Sequence, residues 1–379
     1  MAKPDKERPV LGLLPPLDSG LCTLQQAGQH SRFIEQYLRS YVHAFRQVYY
    51  FSYFHERLAD YTADDALLQK VTLLPGSGRR LYTFQMPFLW AKAMRQCSVL
   101  RVYQVTGAIP AAIARLLWGI PFVVTYGYHY AQVARSEGYR WRSFLLSVLE
   151  WIGLHTANAI IVTTPALAKY VGYRVPIERI HLIPNSVDTD RFVPAERTSQ
   201  GRRVVFVGRL EPQKNVPMLV EALSQIQPTP ELLLVGDGSE RQRILLAARR
   251  KGVPVEATGV VPHEKLPRLL QSADVFALPS LIEGHPKALL EAMSCGLPCV
   301  GLDVPGTRDV IHHGRTGLLA SADAVSLAKM LRQVLENRPF AQALGRQARL
   351  WVEKQYSAQG VMQQELALLL QIAEEQDAR

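Results

Sequence analysis

The stretch Leu278-Pro279-Ser280-Leu281-Ile282-Glu283-Gly284-His285-Pro286-Lys287-Ala288-Leu289-Leu290-Glu291-Ala292-Met293-Ser294-Cys295-Gly296-Leu297-Pro298 reads as a strand end, a loop and a helix. The apolar run 275–278 has the length of a strand, and 287–294 has the apolar spacing of a helix. Pro286 suits the first helical turn, where its missing N–H costs nothing. Gly296 suits the C-cap, and Pro298 keeps the helix from continuing. Glu283 then stands on a loop at the carboxyl edge of a strand, and Glu291 lies just over one turn into the helix. The N–H groups around Gly284, His285, Lys287 and Ala288 make a donor-rich helix start suited to sugar hydroxyls or phosphate.

The same alternation runs along the whole chain and indicates parallel sheets with crossover helices. A first series of candidate strands covers residues 10–14, 47–52, 99–104, 122–125 and 159–163. A second covers 203–207, 231–235, 275–278 and 298–302, with helical patterns at 218–227, 241–251, 266–272 and 287–294. At 379 residues the chain is too long for one typical core, so two domains are expected. Between the series lie Ile183-Pro184-Asn185-Ser186-Val187-Asp188 and a polar linker at 194–202. The expected division is a domain over residues 1–195, a second over 196–355, and a helix over 356–379 packing back on the first. Two doubly wound domains facing each other would turn the carboxyl ends of both sheets to one cleft, where such sheets bind ligands.

A content of 48% hydrophobic and 20% charged residues excludes wholesale disorder. The net charge of +10 is uneven: 21 Lys or Arg stand against 13 Asp or Glu before residue 196, and 22 against 20 after it. A basic first half points to an anionic partner (nucleic acid, acidic lipid or a phosphorylated substrate), with plain solubility as the alternative. Cys22, Cys97, Cys295 and Cys299 are too few and too scattered for a disulfide framework or a zinc site, so they read as reduced thiols of a cytosolic protein. The first residues do not form a convincing signal peptide, because Pro15 and Pro16 break a short apolar run. The most apolar stretch, 109–124, carries Arg115, Gly119 and two prolines, and reads as helix, turn and strand rather than a membrane span.

A second signal follows the first strand of the second series: Val207-Gly208-Arg209-Leu210-Glu211-Pro212-Gln213-Lys214-Asn215. Arg209, a planar fork, and Lys214, a point charge, could converge on a diphosphate; a solvated turn with two ordinary cations is the alternative. In this order the two motifs resemble those of the family 4 glycosyltransferases, a retaining group built on the GT-B fold of two Rossmann-like domains. Gly236-Asp237-Gly238, Gly259 with Val261-Pro262, Gly306 and Gly314-Arg315-Thr316-Gly317-Leu318 match as well. Upstream, residues 183–188 with Arg191-Phe192 match the family's interdomain signature, with Ser186 where Gly is usual. The match is dense over 180–320 and diffuse before it.

The resemblance implies a transferase that moves a sugar from a UDP-, GDP- or ADP-sugar to a glycan or lipid-linked acceptor, without metal or cofactor. Arg209 and Lys214 would hold the diphosphate and Glu291 the ribose hydroxyls. Glu283, with the backbone of Gly284, His285, Pro286, Lys287 and Ala288, would hold and orient the donor sugar. In the first domain, His129 of Val123-Val124-Thr125-Tyr126-Gly127-Tyr128-His129 is the catalytic candidate, displaced by about two residues from the family's commonest pattern. The loop after the first strand offers Asp18-Ser19-Gly20 and Gly28-Gln29-His30 in place of paired glycines.

Other motifs fail. Asp188-Thr189-Asp190 mimics a metal-binding Asp-x-Asp but lies in the interdomain signature, and Gly236-x-Gly238-x-x-Arg241 lacks the third glycine of a dinucleotide fingerprint. No recognition motif or aromatic-interleaved basic stripe supports a nucleic-acid partner. Residues 140–146 would make a basic amphipathic membrane contact or begin a solvated helix. A GT-B-fold nucleotide-sugar epimerase and a non-catalytic nucleotide-sugar-binding regulator remain as alternatives. The charge of the first half places an anionic or membrane-borne acceptor there, reached from the cytoplasm by peripheral attachment to the inner face of the membrane.

Overall fold

The computed structural model describes residues 7–78, 81–136, 138–195 and 202–377, so most of the expected linker, at 196–201, lies outside the described residues. The chain divides into two compact units, Met1–Ile183 with Met362–Arg379, and Pro184–Val361. The first holds a seven-stranded parallel sheet of β1 (Val10–Leu14), β2 (Gln47–Phe51), β3 (Val71–Leu74), β4 (Val99–Val102), β5 (Phe122–Tyr126), β6 (Ala159–Val162) and β7 (Ile180–Leu182), in the order β3-β2-β1-β4-β5-β6-β7. The second holds six parallel strands, β8 (Arg203–Val207), β9 (Glu231–Val235), β10 (Val255–Gly259), β11 (Val275–Leu278), β12 (Cys299–Leu302) and β13 (Leu318–Ala320), in the order β10-β9-β8-β11-β12-β13. Each sheet is doubly wound, as the alternation of strand and helix requires.

The central strands are continuous apolar runs because helices cover both faces of a parallel sheet. All residues of β1, β4, β5, β6, β11 and β12 are buried. In the second sheet the strand order reverses between β8 and β11. Loops at such a reversal diverge to opposite faces and leave a crevice at the carboxyl edge. The two motif loops, after β8 and after β11, are the pair that flanks it.

Four strands escape the sequence reading: β3, β7, β10 and β13, the outermost strand on each side of both sheets. The 109–124 stretch is a helix (Ala108–Trp118), a turn at Gly119 with φ +70°, and β5. Among the described residues no helix is long and apolar enough to cross a membrane. All four cysteines are free thiols.

The boundary at Ile183 lies before the position expected from the polar linker, 195. Residues 184–194 belong to the second unit because Phe192 is buried in its core and Val187 donates its N–H to the Tyr356 carbonyl at 2.9 Å. The Arg349 guanidinium, packed beneath, donates to the carbonyls of Phe192, Thr189 and Ser294. The last helix, Ala358–Asp377, contributes to the first unit from Met362 onward. There Glu365 accepts from Arg101 Nε at 2.7 Å and from the Tyr41 hydroxyl at 2.5 Å, all three side chains being buried.

Candidate active site

At the end of β8, Gly208 N–H donates to the Val235 carbonyl, and the buried Leu210 donates to Asp237 O at 2.9 Å. These bonds hold the 208–211 loop against Gly236, whose φ of +131° and approach to Gly208 O leave no room for a side chain; a Cβ there would fall 1.9 Å from that oxygen. A 3-10 turn, Pro212–Lys214, and Asn215 at φ +50° then start the helix Val216–Ser224. Arg209 is exposed at the head of this loop, and Lys214 is half-buried at its end.

Two contacts tie this loop to the one after β11. Leu281 N–H donates to the Gln213 carbonyl at 2.9 Å. Lys214 Nζ reaches Glu283 Oε1 at 2.5 Å, with the two side chains 17% and 7% exposed. The sequence reading places both residues in the site, and the structure brings them together as an ion pair.

The helix after Glu283 spans Lys287–Ser294, so Pro286 is its N-cap and not part of its first turn. Pro286 has ψ +108°, an extended value that points the chain into the helix without the N–H an N-terminal residue would waste. The helix end is a Schellman motif: Gly296, at φ +66°, donates to Met293 O, and Leu297 donates to Ala292 O. Between these ends Glu291 is buried, and its Oε1 lies 2.9 Å from Nε2 of the buried His263.

His285 contributes backbone rather than side chain. Its ring is buried 5.0 Å from Tyr356, and its carbonyl accepts from Asn185 Nδ2 at 2.7 Å. Burial first, and the Lys287 cation second, pull the imidazole pKa down to about 3, so the ring is neutral at physiological pH. Gly306, at φ +83°, closes the loop from outside, where a Cβ would fall 2.1 Å from Gly284 O. The helix begins at Lys287, four residues after Glu283, and a helix N-terminus carries a partial positive charge. A cation and a carboxylate paired at the carboxyl edge of the sheet, with a helix start following, suit a ligand that is anionic at one end and rich in hydroxyls elsewhere.

In the first unit, His129 follows β5, with Nδ1 at 3.2 Å from the Tyr126 hydroxyl and its ring 4.5 Å from that of Tyr170. Burial first, then Arg174, lowers its pKa, so the imidazole is held neutral. The loop after β1 differs from a phosphate cradle. The N–H groups of Leu21 and Cys22 that open the next helix are already taken by the buried Glu56 carboxylate, at 2.9 and 2.8 Å, with Ser52 and Tyr61 also donating to it. Asp188 caps its own turn, Oδ1 accepting from the N–H groups of Asp190 and Arg191. His263 and Glu56 are missed by sequence reasoning: a single His and a single Glu have no period, and only His263's place directly after Val261-Pro262 hinted at it.

Two family models match the chain, "Glycosyl transferases group 1" over residues 188–351 and "Glycosyltransferase Family 4" over residues 31–191. Among curated proteins, the alpha-maltose-1-phosphate synthase of Mycolicibacterium smegmatis is 30% identical over 56% of this chain and 61% of its own length. The GDP-mannose-dependent alpha-(1-6)-phosphatidylinositol monomannoside mannosyltransferase of Mycobacterium tuberculosis is 31% identical over 55% and 60%. The matched part thus spans about 60% of the length of these relatives. Among solved structures, HepE of Anabaena in complex with UDP superposes with a TM-score of 0.76 at 17% identity, covering 95% of this chain and 99% of that one. The sucrose-phosphate synthase of Thermosynechococcus elongatus gives 0.77 at 20% identity, covering 97% and 99%.

Proposed function

Since the chain belongs to the family 4 glycosyltransferases, with the GT-B fold, we propose that it moves a sugar from a nucleoside-diphosphate-sugar to a glycan or lipid-linked acceptor with retention at the anomeric carbon. The Lys214–Glu283 pair at a helix start, on the two loops that flank the strand-order reversal, carries this reading. Arg209 and Lys214 take the diphosphate and stabilise the charge that grows on it as the bond to the sugar breaks. The helix that starts at Lys287 adds the partial positive charge of its N-terminus. Glu291, aligned by His263, receives the ribose hydroxyls, and Glu283 orients the sugar once the phosphate shares Lys214.

The acceptor oxygen bonds to the anomeric carbon on the face the phosphate leaves, and the departing phosphate oxygen takes the acceptor proton. No metal or cofactor enters this scheme, because Lys and Arg provide the positive charge. Neutral His129 is the first unit's candidate catalytic group. Relatives named for GDP-mannose and a neighbour holding UDP support a nucleoside diphosphate as the donor's leaving group. The basic first unit favours an anionic or membrane-borne acceptor, met at the cytoplasmic face of a membrane.

A thermal-shift series with UDP-, GDP- and ADP-sugars tests donor binding, because a ligand that binds the folded form raises its apparent stability. The expected result is one base class stabilising the protein, with transfer that depends on added acceptor. Release of an epimerised nucleotide-sugar without acceptor would identify an epimerase, and binding without turnover a regulator.

A further inference from the structure

The helix Arg140–Thr156 carries an apolar stripe on the side away from the one it buries. Its inner side buries Ser143, Glu150, Gly153 and Leu154 in the first unit. Its outer side exposes Trp141, Phe144 and Trp151, which fall within one stripe at helical spacing, Trp141 being 71% exposed. Two more helices of the same unit lie alongside: Tyr82–Leu89 packs on Ala108–Trp118, which packs on Arg140–Thr156. They expose Phe84, Phe88 and Leu116, the last at 85%. Scattered exposed apolar residues are ordinary on a protein surface, but five aromatic side chains on two helices, with Leu116 on the helix between them, are not.

The charge around them is predominantly positive, with the exposed Glu374 and Glu375 preceding Gln376, which reaches Gly119 at the end of the middle helix. Residues 66–136 contain no Asp or Glu and eight Lys or Arg. Lys92, Arg95, Arg140 and Arg142 are exposed beside the apolar residues, and the one carboxylate on the third helix, Glu150, is buried and accepts from Ala131 N–H at 3.1 Å. A second copy of this chain would bring one predominantly positive face against another, which opposes self-association. A bilayer of anionic lipids answers both features: headgroups meet the Lys and Arg, and Trp and Phe sit at the boundary between headgroup and acyl chain.

We propose that the outer face of these three helices is a docking surface for an anionic lipid bilayer. The aromatic side chains insert to interfacial depth, and the four cations pair with lipid phosphates. It deepens the reading of a membrane-borne acceptor and rests on that reading for its purpose.

The experiment is co-sedimentation of the full chain with phosphatidylcholine vesicles and with vesicles containing about 30% phosphatidylglycerol, alongside size-exclusion chromatography and a nucleotide-sugar thermal shift. The wild type should partition onto the acidic vesicles, lose binding in 0.5 M salt, and show blue-shifted tryptophan emission. The variant Phe84→Ser/Phe88→Ser/Trp141→Ser should bind at least about tenfold more weakly while keeping the wild-type melting temperature. Arg140→Gln/Arg142→Gln should lose roughly fivefold per cation on acidic vesicles only. Equal binding of the wild type to both vesicle types, no binding to either, or a dimer dissolved by the triple substitution would overturn the proposal. An intact nucleotide-sugar shift in a chain that ignores vesicles would sink the docking surface alone. Vesicle binding without any donor shift would instead sink the glycosyltransferase assignment.

Discussion

Lys214 and Glu283 each satisfy the other in a crevice where either alone would be a poorly solvated charge. Lys214→Ala removes the proposed phosphate contact and leaves Glu283 without its partner, so we expect a loss of about 10²–10³ in kcat. Glu283→Ala should abolish transfer through misorientation of the sugar, while the nucleotide alone still stabilises the protein; full activity in that variant would refute the site. His285 makes a prediction about acid. Its folded pKa, about 3, lies below the unfolded value of about 6.5, so the unfolded chain binds the extra proton between the two. Stability should therefore fall as pH drops through 6.5, by at most about 1.4 kcal/mol per pH unit from this group, and level off near its folded pKa. Replacing His285 by Phe should flatten that part of a denaturation-versus-pH profile.

Elements with strong local signals agree with the sequence reading. Strands β1, β8, β9 and β11 and the helices Arg241–Lys251 and Lys287–Ser294 have the expected bounds. The four unforeseen strands share one cause. An edge strand has one hydrogen-bonded neighbour and a partly wet face, so it is short and its apolar run is interrupted; β10, Val-Glu-Ala-Thr-Gly, has no buried residue at all. The loop that carries Glu283 depends on a glycine 23 residues after it in the chain, Gly306. Gly306→Ala would place a Cβ against Gly284 O at a positive φ, costing at least about 1 kcal/mol and shifting the loop that carries Glu283. Weakened nucleotide-sugar binding, measured by titration calorimetry, is the expected signature; wild-type affinity would show that the loop keeps its shape without the glycine.

Across the whole molecule, the first unit is closed by a residue far along the chain. Arg101 and Glu365, 264 positions apart, form a buried ion pair with Tyr41. Glu365→Ala strands the arginine, so we expect a loss of about 3–5 kcal/mol in the stability of that unit by denaturant titration. The double substitution Arg101→Met/Glu365→Leu should recover most of it, because neither charge is then buried alone. The uneven charge also acquires a place: the stretch 66–136, without carboxylates, carries two of the three helices that expose large apolar residues, while the cations proposed to bind phosphate are two particular side chains of the other unit.

The sequence by itself determined the doubly wound class, the central strands, the loop that carries Glu283 and the helix after it, since these rest on period, turn residues and glycines at positive φ, all encoded within a few residues. Only the tertiary structure decided which apolar residues stay in water, which strands form the edges, and which lone polar side chains become partners, as His263 does for Glu291 and Glu56 for the helix after β1. Apolar burial has no direction of its own, so Trp141 and Leu154 look alike in the chain; the neighbour that covers one and leaves the other exposed comes from elsewhere in the fold.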